Sequence, residues 1–112
     1  MDIKQEKAKR FAVSIIKLCK YLNSKKEIII SNQILKSGTS IGANLAEAEF
    51  AQSKDDFINK ISIALKEANE TKYWLELLIE TEVISREQFI ILINDCTEII
   101  NILVTVIKTL KL

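Results

Sequence analysis

A chain of 112 residues with no proline and only two glycines has few ways to make tight turns. An all-β domain needs Gly, Pro or Asn-Gly at every hairpin. The same shortage excludes a collagen-like chain and a Pro/Gly-rich disordered one. With 48% apolar and 28% charged residues the chain can build a core. A folded monomer of this mass exposes roughly 6,300 Å² and buries about two-thirds of its unfolded surface. The expectation is one all-α domain spanning residues 1–112.

Apolar periodicity divides the chain into four helices. Ala8, Phe11, Ile15, Leu18 and Leu22 form one stripe at helical spacing, with Cys19 at its edge, over about Lys4 to Leu22. Asn23-Ser24-Lys25-Lys26 breaks the pattern. Ser24 with Glu27 is one capping signal for the second helix, and Ser31 is a competing start. That helix carries Ile34, Ile41, Leu45 and Ala48 on one face. Ser53 with Asp56 opens a third helix, with Phe57, Ile61, Ala64, Leu65, Ala68, Leu75 and Ile79 in one arc. Glu80-Thr81-Glu82 ends it, and Ser85 with Gln88 opens a fourth from Arg86 to near Leu110. The short joins make sequential helices antiparallel neighbours, an up-down-up-down bundle.

The second helix contains an unusual run of small residues, Lys36-Ser37-Gly38-Thr39-Ser40-Ile41-Gly42-Ala43-Asn44. Each interior glycine costs about 1 kcal/mol against alanine. Close approach of a neighbouring backbone explains such a cost. A phosphate-binding loop does not, because the G-x-x-x-x-G-K-[ST] order and a preceding strand are both missing.

Two helices carry more apolar surface than one core uses. On the fourth, Phe89, Leu92, Ile93, Cys96, Ile99, Ile100, Leu103, Val104, Val106, Ile107 and Leu110 cover roughly 160° of the wheel, where one core-facing stripe needs about 100°. On the third, Ile63, Trp74 and Leu77 lie away from the main arc. Patches this broad point to self-association, with Ile63, Trp74, Leu77, Val104 and Val106 as interface candidates.

Charge is unevenly placed. Residues 1–36 hold nine Lys or Arg against three acidic residues, net +6; residues 37–112 hold seven against twelve, net −5. Lys9, Arg10, Lys17 and Lys20 project opposite the first apolar stripe, and Lys25 and Lys26 follow in the connection. This basic face is the candidate phosphate-backbone contact, repeated once per subunit in an oligomer.

Several chemistries are removed by composition. Without histidine there is no imidazole base or ligand and no Ser-His-Asp triad. Cys19 and Cys96 are far apart, sit at apolar positions and read as core thiols; zinc is not expected. Glu47, Glu67 and Glu70 lack the Glu-x-x-His motifs of a di-iron bundle. No catalytic residue, cofactor or metal site is expected. MDIKQEKAKR contains no apolar signal region, and the longest apolar runs, such as Ile28-Ile29-Ile30, are short. The expectation is a cytoplasmic protein with no membrane partner.

The stretch from Gln33 to Leu78, with its blocks SGTSIGAN, EAEFAQSKDDF and IALKEANETKYWLELL, resembles the bacterial family of 23S rRNA intervening-sequence proteins. With the basic helix before it and the apolar helix after, the resemblance covers essentially the whole chain. It implies a four-helix bundle assembled as a homopentameric ring, with no established catalytic residues. A related branch, the accessory variability proteins of diversity-generating retroelements, binds nucleic acid and a reverse transcriptase; this chain is less basic than that branch. Ser37, Gly38, Gly42, Asn44 and Glu47 match the second-helix block, and Glu67 and Glu70 the third-helix block. These positions are expected to make packing and polar contacts, with Asn44 and Glu47 in buried hydrogen bonds to the third helix. The expected role is binding of RNA or another nucleic acid. The alternative is a protein-interaction scaffold or accessory subunit without such binding.

Overall fold

The computed structural model describes residues 2–111 and contains four α-helices and no strand among them. They are α1 (Ile3–Ser24), α2 (Ile28–Ala48), α3 (Lys54–Glu80) and α4 (Arg86–Leu110). The longest helix has 27 residues, about 40 Å at 1.5 Å per residue. That length nearly fills the long dimension of the 44 × 20 × 20 Å molecule. Connections this short can only send the chain back alongside itself. Contacts between Gln5 and Glu49, Cys19 and Ser31, and Ser37 and Thr71 show the antiparallel register. Each helix packs along its two neighbours; α2–α3 is the most extensive pairing and α1–α4 the least.

The α1 stripe is buried as expected, Cys19 included, as are Ile34, Ile41, Leu45 and Ala48 of α2. On α3, Ile61, Ala64, Ala68 and Leu75 are buried, while Phe57, Leu65 and Ile79 pack half-buried against them. Thr71 and Leu78, outside the expected arc, are also fully buried. Of the eleven apolar residues in the broad α4 sector, Leu92, Cys96, Ile99 and Leu103 are buried and seven are half-buried. By length and composition α4 could also cross a membrane. In this fold its buried residues instead complete the bundle core. The expectation of no membrane partner rests on unbroken apolar runs, a criterion that does not reach α4, where polar residues interrupt the apolar ones.

Ser53 and Ser85 cap α3 and α4, each accepting the backbone N–H three residues on. At α4 the box is complete, since Gln88 Oε1 accepts the Ser85 N–H at 2.9 Å. Asp2 and Gln5 form an equivalent box on α1, with Asp in place of Ser at the cap. The start of α2 differs from both expectations. Its N-cap is Glu27, with no side-chain cap. Ser24 ends α1 and donates to the Tyr21 carbonyl. Ser31 lies buried inside α2, and its hydroxyl donates to the Cys19 carbonyl while the Cys19 thiol donates to the Ser31 carbonyl.

Two turns at the same end of the bundle close α1 and α3 alike. Lys26 and Glu82 take left-handed conformations, at φ 64° and 58°. Glu27 N–H reaches the Leu22 carbonyl and Val83 N–H the Leu78 carbonyl, while Lys26 and Glu82 donate to Asn23 and Ile79. Both are Schellman motifs with a side-chain-bearing residue where glycine is usual.

Candidate nucleic-acid interface

Helix α1 packs on α2 at one side and α4 at the other, so its third side faces solvent. All six expected cations, Lys9, Arg10, Lys17, Lys20, Lys25 and Lys26, are exposed. Residues 7–26 contain no acidic residue. Arg10 pairs with Glu6 at 3.0 Å. The other five make no ion pair among the described residues. Lys7, outside the expected set, pairs with Glu98 and ties α1 to α4.

The face is not purely basic. Val13 and Ile16, absent from the sequence-level site, are 47% and 42% exposed among the lysines. Tyr21 also adjoins the cluster, half-buried, with the Lys25 ammonium 5.7 Å from its ring centre. Their spacing from the core stripe is the available signal: Val13 falls opposite Phe11 and Ile15 on the wheel, and Ile16 falls outside the stripe, about 100° from Ile15.

A sequence model of the 23S rRNA-intervening sequence protein family matches residues 3–105. The chain belongs to this family. A crystal structure of a protein of unknown function from the S23 ribosomal protein family of Bacteroides thetaiotaomicron is 60% identical, with a TM-score of 0.93. The alignment covers 95% of this chain and 99% of that one. No curated protein matches the chain.

In this intervening-sequence family member, the small residues of α2 have separable roles. A Cβ on Gly38 would lie 2.9 Å from two side-chain carbons of Ile15, so α1 and α2 meet there closely. A Cβ on Gly42 would sit 3.7 Å from Ala8 Cβ, an ordinary contact. Ser37 is buried and hydrogen-bonded to Thr71 of α3 at 2.8 Å. Asn44 does not make the expected buried bond to α3; its amide donates to the Ser40 carbonyl of its own helix. Glu47 does reach α3, but through an exposed ion pair with Lys60 at 3.4 Å. Glu67 is half-buried and accepts Thr71 only through its backbone carbonyl. Glu70 is exposed and accepts the Trp74 indole N–H at 3.3 Å.

The five interface candidates, Ile63, Trp74, Leu77, Val104 and Val106, are all half-buried in the single chain. Trp74 and Val106 pack against the core, and Tyr73 meets Trp74 edge-on at 5.2 Å. Leu77 lines an open groove of about 700 Å³ between the two Schellman turns, with Ile28, Ile29, Ile30 and Val83. Among the described residues no group of three His, Cys, Asp or Glu side chains could hold a metal ion. Both thiols are buried and free. Burial pushes the Cys96 pKa up to about 12 despite nearby Lys72, and burial raises that of Cys19 as well. Neither is poised as a nucleophile.

Proposed function

We propose that this chain is a non-enzymatic, self-associating bundle of the cytoplasm that binds RNA or another nucleic acid through the outer face of α1. The observation that carries this reading is the acid-free stretch 7–26 with five exposed lysines that make no ion pair among the described residues. A solvated face that only maintains solubility has no need to exclude acidic residues over five helical turns. Lysines without partners can release counterions from a phosphate backbone, and the association then weakens steeply with salt. Contacts of this kind position a nucleic acid without reading its sequence.

Fluorescence anisotropy with a structured RNA, across a salt series, tests the reading. Binding that falls with salt and disappears when Lys9, Lys17 and Lys20 become glutamate supports it. A folded protein that binds no nucleic acid at low salt overturns it. We further propose a ring of copies, pentameric as the family resemblance implies. The half-buried apolar residues of α3 and α4 support self-association without counting subunits. The second reading is a protein-interaction scaffold or accessory subunit. It is favoured by Ile29, 83% exposed beside the open groove, a position where an apolar partner segment gains burial.

A further inference from the structure

Lys9, Val13, Ile16 and Lys20 follow the i, i+4, i+7, i+11 spacing that puts residues on one line of a helix. The line reads cation, apolar, apolar, cation, and all four side chains are exposed. Its two ammonium groups are anchored about 16 Å apart at 1.5 Å per residue, with the apolar pair between them. A continuous run of phosphates would meet charge along the whole line. This line instead suits two phosphate strands separated by a surface that is not charged.

Three nucleic-acid forms differ in how they meet it. A single strand is held by bases stacked on open aromatic faces. The one aromatic side chain here, Tyr21, is half-buried with Lys25 over its ring. The B-DNA major groove is about 12 Å wide and admits a helix that can enter alone. Helix α1 is flanked by α2 and α4, so only its third side can approach a groove, and Val13 and Ile16 on that side offer the major-groove base edges neither donor nor acceptor. The minor groove of A-form RNA is wide and shallow, and displays sugars and base edges between its two backbones.

We propose that the α1 face binds duplex RNA across its minor groove, with Val13 and Ile16 over the groove floor and Lys9 and Lys20 on the two flanking backbones. This rests on the nucleic-acid reading given above. The test is anisotropy of the full chain with a short RNA duplex, a DNA duplex of the same sequence and one RNA strand alone, each over a salt series. The RNA duplex should bind tightest, by roughly tenfold, because only it presents the shallow groove. The double variant Val13→Ser/Ile16→Ser should bring RNA and DNA duplexes near parity while leaving the salt slope unchanged, since no phosphate contact is lost. Lys9→Gln/Lys20→Gln should instead lower the slope by about two phosphate contacts. Equal, salt-sensitive binding of all three probes would overturn the duplex assignment and leave the nucleic-acid reading standing. No binding to any probe would overturn both. A fall in native mass for Val13→Ser/Ile16→Ser, with duplex preference intact, would overturn the assignment and give the apolar pair to a contact between copies.

Discussion

The hydroxyls of Ser37 on α2 and Thr71 on α3 are hydrogen-bonded at 2.8 Å, both fully buried, at the most extensive helix pairing in the bundle. Thr71 Oγ1 also lies 2.8 Å from the Glu67 carbonyl, and Ser37 Oγ lies 3.4 Å from that of Ile34. Thr71→Val keeps the shape and leaves Ser37 only the long contact to its own helix. It should cost about 1–2 kcal/mol. Ser37→Ala leaves Thr71 with Glu67 and should cost less. In a double-mutant cycle read by urea unfolding, the pair should cost less than the sum of the singles. Additive losses would mean the two hydroxyls act independently.

The two glycines of α2 should respond in opposite directions to alanine. Ile15 is fully buried and branched, so it cannot yield to a Cβ at 2.9 Å. Gly38→Ala should destabilise by about 1–3 kcal/mol, as overpacking does. Gly42→Ala meets Ala8 at a normal distance and removes glycine's helix penalty. It should stabilise by up to about 1 kcal/mol. Thermal unfolding of both variants decides the matter, and equal signs would count against this account of the α1–α2 contact.

Much of this architecture is legible in the sequence because its core residues repeat at helical spacing. Ala8 through Leu22 and the Ser85–Gln88 box need no knowledge of the rest of the chain. Polar residues that serve tertiary contacts are harder to read. Ser31 has the composition of a helix cap, yet its partner Cys19 belongs to another helix. Thr71 looks like an ordinary polar position until Ser37 is set against it. Asn44 invites an inter-helix bond, yet its amide donates to the Ser40 carbonyl of its own helix. The lysines of α1 follow from the wheel alone. The wheel also sets Val13 and Ile16 outside the core stripe, but their exposure is fixed only once α2 and α4 pack on either side of α1 and leave them uncovered.

Glu82 holds a left-handed conformation at the end of α3 without being glycine. A non-glycine residue there costs about 1 kcal/mol or more. Its motif is kept in place by the Val83 N–H bond to the Leu78 carbonyl at 3.0 Å. Glu82→Gly should therefore raise stability by roughly 0.5–1 kcal/mol, after allowing for glycine's greater freedom in the unfolded chain. A few degrees' rise in melting temperature is the expected reading. A fall would show that the Glu82 side chain makes a stabilising contact of its own.

Cys96 gives the bundle a pH dependence at the alkaline end. Its folded pKa is raised by burial to about 12, above the ordinary thiol value of roughly 8.5. The neutral thiol thus favours the folded state, and that contribution is complete below the unfolded pKa. Above it the unfolded chain ionises first, and stability is lost as pH rises toward 12. Wild type should lose more stability than Cys96→Ala between these limits, measured by urea unfolding at each pH. At neutral pH the same burial should restrict thiol labelling to open or unfolded molecules. Rapid labelling of the folded protein would contradict it.

The broad apolar sector of α4 bears on assembly. Only four of its eleven apolar residues are buried within one chain, and Val104 lies among the seven left half-buried. Ile63 on α3 is half-buried as well. Burial of an Ile or Val side chain is worth about 1.5–3 kcal/mol when complete, so each retains a further gain from a neighbouring copy. Val104→Thr and Ile63→Thr keep the branched shape or reduce it modestly, and add a hydroxyl that solvent can satisfy in a monomer but a dry interface cannot. Both should lower the native mass at a given concentration while the helical circular dichroism stays at the wild-type level. A wild-type protein that runs at 12.8 kDa across the concentration range would overturn self-association itself. A wild-type oligomer unaffected by either change would place the contact elsewhere, with exposed Ile90 and Ile91 as the next α4 positions to substitute.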